Sequence, residues 1–195
     1  MTTPTDPSDE QLMASYVGGD VRAFEALFTR YASRLYGFFS RLTKDRSLAD
    51  DLVQTTFLKI HGARDSYDRT RPLRPWIYAI AARTRVDVIR QRMRQEGRWG
   101  GELDGVADGE GEAPERVAQA RQAVSQLELA LEKLPEGQRT VLLLHRVEGL
   151  AFAEIAEVLS ASEGTALTEV AVRVRAFRAV AALRTIMGDL SEMEP

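Results

Sequence analysis

Residues 151–184 read AFAEIAEVLSASEGTALTEVAVRVRAFRAVAALR. Apolar residues recur at helical spacing on either side of a short polar interruption that holds Gly164, so the segment predicts two helices joined by a turn. Within the interruption a unit repeats: Ser162-Glu163-Gly164-Thr165-Ala166-Leu167 is followed directly by Thr168-Glu169-Val170-Ala171-Val172-Arg173.

The rest of the chain carries the same period. Strand-like alternation is absent and the expected fold is all-α. Ser8 and Gln11 have the spacing of a capping box and open a short helix that stops near Gly18 and Gly19. Asp20 caps a long helix that buries Phe24, Leu27, Phe28, Tyr31, Leu35, Phe38 and Leu42. Ser47 is expected to start a third helix, with Leu52, Val53, Phe57 and Ile60 inward and Gly62 at its end. A loop with two prolines follows, and a fourth helix is expected from Pro75. Residues 96–113, EGRWGGELDGVADGEGEA, are rich in glycine and acid and poor in apolar periodicity, the composition of a flexible linker. Beyond it, helices are expected at 114–133, at 135–148 with Pro135 at N1 and Gly149 as cap, at 151–159, and from the turn through Arg184. The organisation is therefore two small helical domains, 8–95 and 117–188, joined by an acidic Gly-rich linker at 96–116, the second domain ending in a helix-turn-helix.

Charge is distributed unevenly. The net charge is -3, yet residues 21–95 carry 16 Lys and Arg against 7 Asp and Glu, a basic sector that suits a nucleic-acid partner. With no cysteine and two histidines, His61 and His145, the sequence offers no disulfide or thiolate site, and neither metal nor cofactor is expected. No nucleotide loop or nucleophile with a base is found, which argues against an enzyme. No apolar run is long enough to span a bilayer, and the acidic start MTTPTDPSDE is unlike a secretory signal, so a cytoplasmic location and no membrane insertion are expected.

Several phrases resemble the extracytoplasmic-function (ECF) sigma factors, two-domain specificity subunits of bacterial RNA polymerase in the sigma-70 family. They are AFEALFTRYASRLYGFFSRLT, ADDLVQTTFLKIHGAR and YDRTRPLRPWIYAIAARTRVDVIR in the first half, and LEKLPEGQRTVLLLHRVEGLAFAEIAEVL and VRAFRAVAALR in the second. The resemblance implies a protein that binds core RNA polymerase and directs transcription from particular promoters, with an anti-sigma protein as a further partner. Asp51, Gln54, Thr55 and Leu58 share one helix face and fall where the family docks on the polymerase; Thr55 departs from the usual Glu. Tyr67, Asp68, Arg69, Arg71, Arg74 and Trp76 fall in the segment that captures the melted minus-10 element. Arg83, Arg90 and Arg94 form a stripe suited to its phosphates. Trp76 has a second reading, as a core residue that opens an amphipathic helix. Arg173, Arg175 and Arg178 are the cations available for the minus-35 element.

Against the family pattern, six residues are surplus, and 162–167 reads as a tandem copy. Either Thr168 caps the last helix after a turn of about nine residues, or Ser162 caps a helix longer by about a turn and a half. Gly164 inside a helix costs about 1 kcal/mol, which favours the longer turn, and deletion of 162–167 is then expected to be tolerated. If the surplus spoils minus-35 reading, the alternative is a sigma-like interaction module that binds polymerase or a regulator.

Overall fold

The computed structural model describes residues 6–96 and 115–192; the linker expected from the sequence lies almost wholly outside them. Regular structure among the described residues is helical. α1 spans Asp9–Val17, α2 Val21–Thr43, α3 Arg46–Ala63 and α4 Leu73–Glu96. In the second half α5 spans Glu115–Lys133, α6 Glu136–Leu142, α7 Phe152–Glu163 and α8 Glu169–Glu192.

Local chemistry sets the helix starts. At α1 the Ser8 hydroxyl accepts from the Gln11 N–H at 3.2 Å and the Gln11 side chain accepts from the Ser8 N–H at 2.8 Å, the expected capping box. Asp20 caps α2 by accepting from the Arg22 N–H at 2.9 Å. α3 begins earlier than expected: Asp45, not Ser47, is its cap and accepts from the Leu48 N–H at 2.9 Å. A carboxylate at that position also complements the positive end of the helix dipole. α4 likewise starts at Leu73 rather than Pro75, because Pro75 sits in the first turn, where its missing N–H is no loss. The Leu73 N–H is taken by the Glu10 carboxylate at 3.1 Å, which ties α1 to the head of α4. This bond holds the Glu10 carboxyl below its ordinary pKa.

Pro135 is the N-cap of α6 rather than its first residue, and α6 ends in a π-turn at Leu143–Val147. Gly149 follows with φ 72°, in the left-handed region that glycine adopts without steric cost. His145 is a packing residue: its Nδ1 lies 2.9 Å from the Leu150 carbonyl and its ring stacks on Phe152 at 4.2 Å.

The surplus residues are absorbed in a way that neither sequence-based option describes. Thr168 does cap α8, accepting from the Ala171 N–H at 3.2 Å. The turn, however, is only residues 164–168, because α7 continues to Glu163, past its expected end at 159. Ser162 is buried, and its hydroxyl donates to the Leu159 carbonyl at 3.2 Å. Ser160 accepts from the Leu167 N–H at 2.8 Å, and Leu167 packs against the core. Gly164 reverses the chain with φ 70°, the Cβ-free position expected after a helix end.

The two halves share one core. Leu35, Phe39, Leu52, Leu73, Ile77 and Tyr78 of the first half belong to the same buried cluster as Leu144, Leu150, Ile155, Val158, Leu159 and Val172 of the second. The most extensive helix pairing is α4 against α7, across the halves. A smaller cluster of Leu134, Leu142 and Ala179 closes the far end of the second half.

Candidate nucleic-acid interface

Asp51, Gln54, Thr55 and Leu58 come together as expected. They line a shallow depression between α3 and α4, with Val88, Gln91 and Arg92 on its other wall. Leu58 is 72% exposed there and gives the depression its apolar element. Arg92 draws Asp51 across at 3.4 Å and also reaches Asp45 at 3.6 Å.

The stripe on α4 is also formed. Arg83, Arg90 and Arg94 are exposed and make no ion pair among the described residues. Asp87 on the same face is neutralised by Lys59 at 2.9 Å. Three guanidiniums thus point to solvent along one side of a helix, unpaired among the described residues.

The remaining minus-10 candidates, Arg69 apart, are engaged within the chain. Tyr67 is buried and donates to the Arg71 carbonyl, and its ring packs on Trp76 with centroids 5.2 Å apart. Trp76 packs against the core, the second of its two expected readings. The Asp68 Oδ1 accepts from both the N–H and the hydroxyl of Thr70, at 2.9 and 2.7 Å, and these bonds hold its carboxyl below the ordinary range. Arg69 is exposed. Between this loop and α7 lies a cleft of about 430 Å³, whose walls include Tyr67, Pro72 and Trp76 on one side and Glu157, Val158 and Ala161 on the other.

Charges span the same junction. Arg71 pairs with Glu157, Arg85 with Glu136 at 2.6 Å, Arg34 with Glu148 at 3.2 Å, Lys44 with Glu132 at 3.0 Å and Arg41 with Glu128 at 3.7 Å. Arg74 donates to the Glu148 carbonyl at 3.2 Å. Glu148 itself is buried, and the Tyr78 hydroxyl is pushed well above its ordinary pKa by burial and by that carboxylate. The Arg85 hydrogen bond has the opposite effect on Glu136, whose carboxyl is held below its usual value despite partial burial. Sequence reasoning missed these pairs. One signal was present: Glu128 and Glu132 are one helical turn apart, as are Arg41 and Lys44, so each pair shares a helix face.

On α8, Arg173 and Arg178 are exposed, with Arg173 paired to Glu169 and its guanidinium 5.6 Å from the Phe152 ring centre. Arg175 is less free than expected: it turns toward the end of α7 and pairs with Glu163 at 2.8 Å.

Residues 27–95 match the model for sigma-70 region 2, and residues 125–183 match that for sigma-70 region 4. The chain is 32% identical to RNA polymerase sigma factor CarQ of Myxococcus xanthus over 91% of its length and 97% of that protein's. It is 28% identical to ECF RNA polymerase sigma factor SigM of Mycobacterium tuberculosis, over 94% of this chain and 87% of that one. The structure of CnrH in complex with the cytosolic domain of CnrY superposes with a TM-score of 0.63 at 25% identity, covering 94% of this chain and 99% of CnrH. A helical chain with both sigma regions, in order and nearly at full length, belongs to the ECF group of the sigma-70 family, promoter-specificity subunits of RNA polymerase and not enzymes.

Proposed function

We propose that the three surfaces divide the work of promoter recognition. The depression formed by Asp51, Gln54, Thr55 and Leu58 docks on core polymerase. Arg83, Arg90 and Arg94 grip minus-10 phosphates, while Tyr67, Asp68, Arg69, Arg71, Arg74 and Trp76 engage the melted strand. Arg173 and Arg178, with Arg175 once released from Glu163, serve the minus-35 element. The protein then works in the cytoplasm, with the polymerase and the chromosome. By analogy with CnrH, solved with a partner protein, a restraining anti-sigma partner belongs to the same reading.

The observation that carries the proposal is the bare guanidinium stripe of α4 set beside a loop whose Tyr67 and Trp76 face α7 across a cleft and whose Arg71 is paired with Glu157 of α7. The two promoter elements lie about 25 base pairs apart, roughly 85 Å of duplex at about 3.4 Å per base pair. Halves that share a core cannot reach both at once. The closed arrangement is therefore a resting form in which the glutamates of the second half occupy cations that phosphates would otherwise take, and promoter reading requires α7 to leave α4.

The alternative, an interaction module with a spoiled minus-35 reader, is disfavoured by Thr168, which starts α8 in the phase the family pattern requires. The test is transcription in vitro with purified core polymerase over a promoter library. Enrichment of sequences with two elements at fixed spacing supports the proposal; binding to polymerase without promoter-dependent transcription would establish the interaction module instead.

A further inference from the structure

α8 carries two apolar faces, and only one of them is used. Val172, Ala176 and Ala179 are buried against the rest of the second half. On the other side Val170, Val174 and Phe177 are 68%, 43% and 76% exposed. Their spacing of four and three residues puts them in one stripe, and at about 100° per residue Val174 lies some 200° around the helix from Val172. Solvent-exposed valine and phenylalanine in a row are not explained by the fold, whose core the opposite face already supplies.

The chemistry around the stripe points to its occupant. Arg173 and Arg178 are exposed beside it, and the nearby acid, Glu169, is already bound to Arg173. The helix is the second of a helix-turn-helix, and its N-terminal turn, capped by Thr168, is at the end that enters a groove. Hydrocarbon flanked by cations is matched by a polyanion that displays hydrocarbon. In the major groove of DNA the C5 methyl of thymine is that hydrocarbon. A protein partner would instead be expected to bring acids to meet both arginines.

We propose that Val170, Val174 and Phe177 read thymine methyl groups in the minus-35 element, while Arg178, and Arg173 once it exchanges Glu169 for phosphate, hold the adjacent backbone. This deepens the sigma reading above and rests on it. None of the three residues faces the junction between the halves, so the stripe is open in the resting form as well.

The experiment uses holoenzyme assembled from the full chain and core polymerase. A promoter enriched from the library is remade with deoxyuridine in place of each minus-35 thymine in turn, which removes one methyl group and leaves every hydrogen bond intact. Burial of one such carbon is worth about 0.8 kcal/mol, so affinity should fall about fourfold at each thymine that is read, seen as occupancy at subsaturating holoenzyme. Val174→Ala or Phe177→Ala should lower occupancy on the thymine promoter by a similar factor and erase the difference between thymine and uracil at one position. Equal occupancy of thymine and uracil promoters by the unaltered protein overturns the proposal. So does a variant that loses equally on both, the result expected if the stripe docks a protein or merely supports the helix. Failure to transcribe any promoter would overturn the underlying sigma reading as well, and is distinguishable because no enriched sequence would exist.

Discussion

Glu148→Ala should open the resting form more than any change at the rim of the junction. Glu148 is 3% exposed and faces Arg34 at 3.2 Å, with the buried Tyr78 hydroxyl beside it. Removing one partner of a buried pair costs about 3–5 kcal/mol, because the other charge is left uncompensated. Arg34 is 38% exposed and partly rehydrates, which places the effect near the lower end, about 3 kcal/mol. That is a shift of roughly 150-fold toward the open form. Glu157→Ala is the matched control: it removes an ion pair with Arg71 in which both side chains are more than half exposed, worth less than about 1 kcal/mol, or about fivefold. Binding of single-stranded minus-10 DNA by the free protein at fixed salt reads the open fraction directly, because apparent affinity scales with the population competent to bind. The chain has no cysteine, so Thr29→Cys and Thr185→Cys on exposed turns of α2 and α8 would give a clean energy-transfer pair to report separation independently. Equal gains from the two variants, or no gain from Glu148→Ala, would refute the argument and leave apolar packing of α4 on α7 as the whole of the closing force.

Three further outcomes follow from particular residues. Arg90→Ala should weaken DNA binding across sequences and reduce the slope of log affinity against log salt by about 0.9; an unchanged slope would show that the α4 stripe does not touch phosphate. Gly164→Ala should lower stability by about 1 kcal/mol and Gly164→Asn by less, read as melting temperature, since nothing crowds the added Cβ and the cost is that of φ 70° alone. The Glu136 carboxyl has a lowered pKa in the closed form, so its contribution to closure is complete above the ordinary glutamate pKa. That contribution is lost as pH falls through the depressed value; energy transfer followed on acidification should show it, and Glu136→Gln should flatten that part of the profile.

Sequence reading recovered what depends on local order and failed where distant residues meet. The helix periods, the caps at Ser8, Asp20 and Thr168 and the shared face of Asp51, Gln54, Thr55 and Leu58 are all relations within a few residues. The starts of α3 and α4 fall one and two residues before the expected ones, α3 because Asp45 rather than Ser47 caps it. The surplus unit misled in a different way. Treated as an extra copy it looked removable, but Ser162 is buried, Leu167 packs inward and Glu163 holds Arg175. Its deletion would now be expected to disrupt the turn rather than spare it. The cleft that sets Tyr67 and Trp76 opposite α7 was out of reach, because its far wall is more than 70 residues away in the chain. The count of charges along the chain showed a basic sector at 21–95. It could not see that the acids of the second half gather on the side that meets those bases.

The glutamates that meet Arg71 and Arg85 tie two properties together that selection would otherwise adjust separately. Any added cation on that side of the first half strengthens its grip on a promoter, and it strengthens its grip on the protein's own second half for the same Coulombic reason. Evolution toward tighter promoters thus carries an automatic brake: the chain becomes more reluctant to act without polymerase as it becomes better at acting with it.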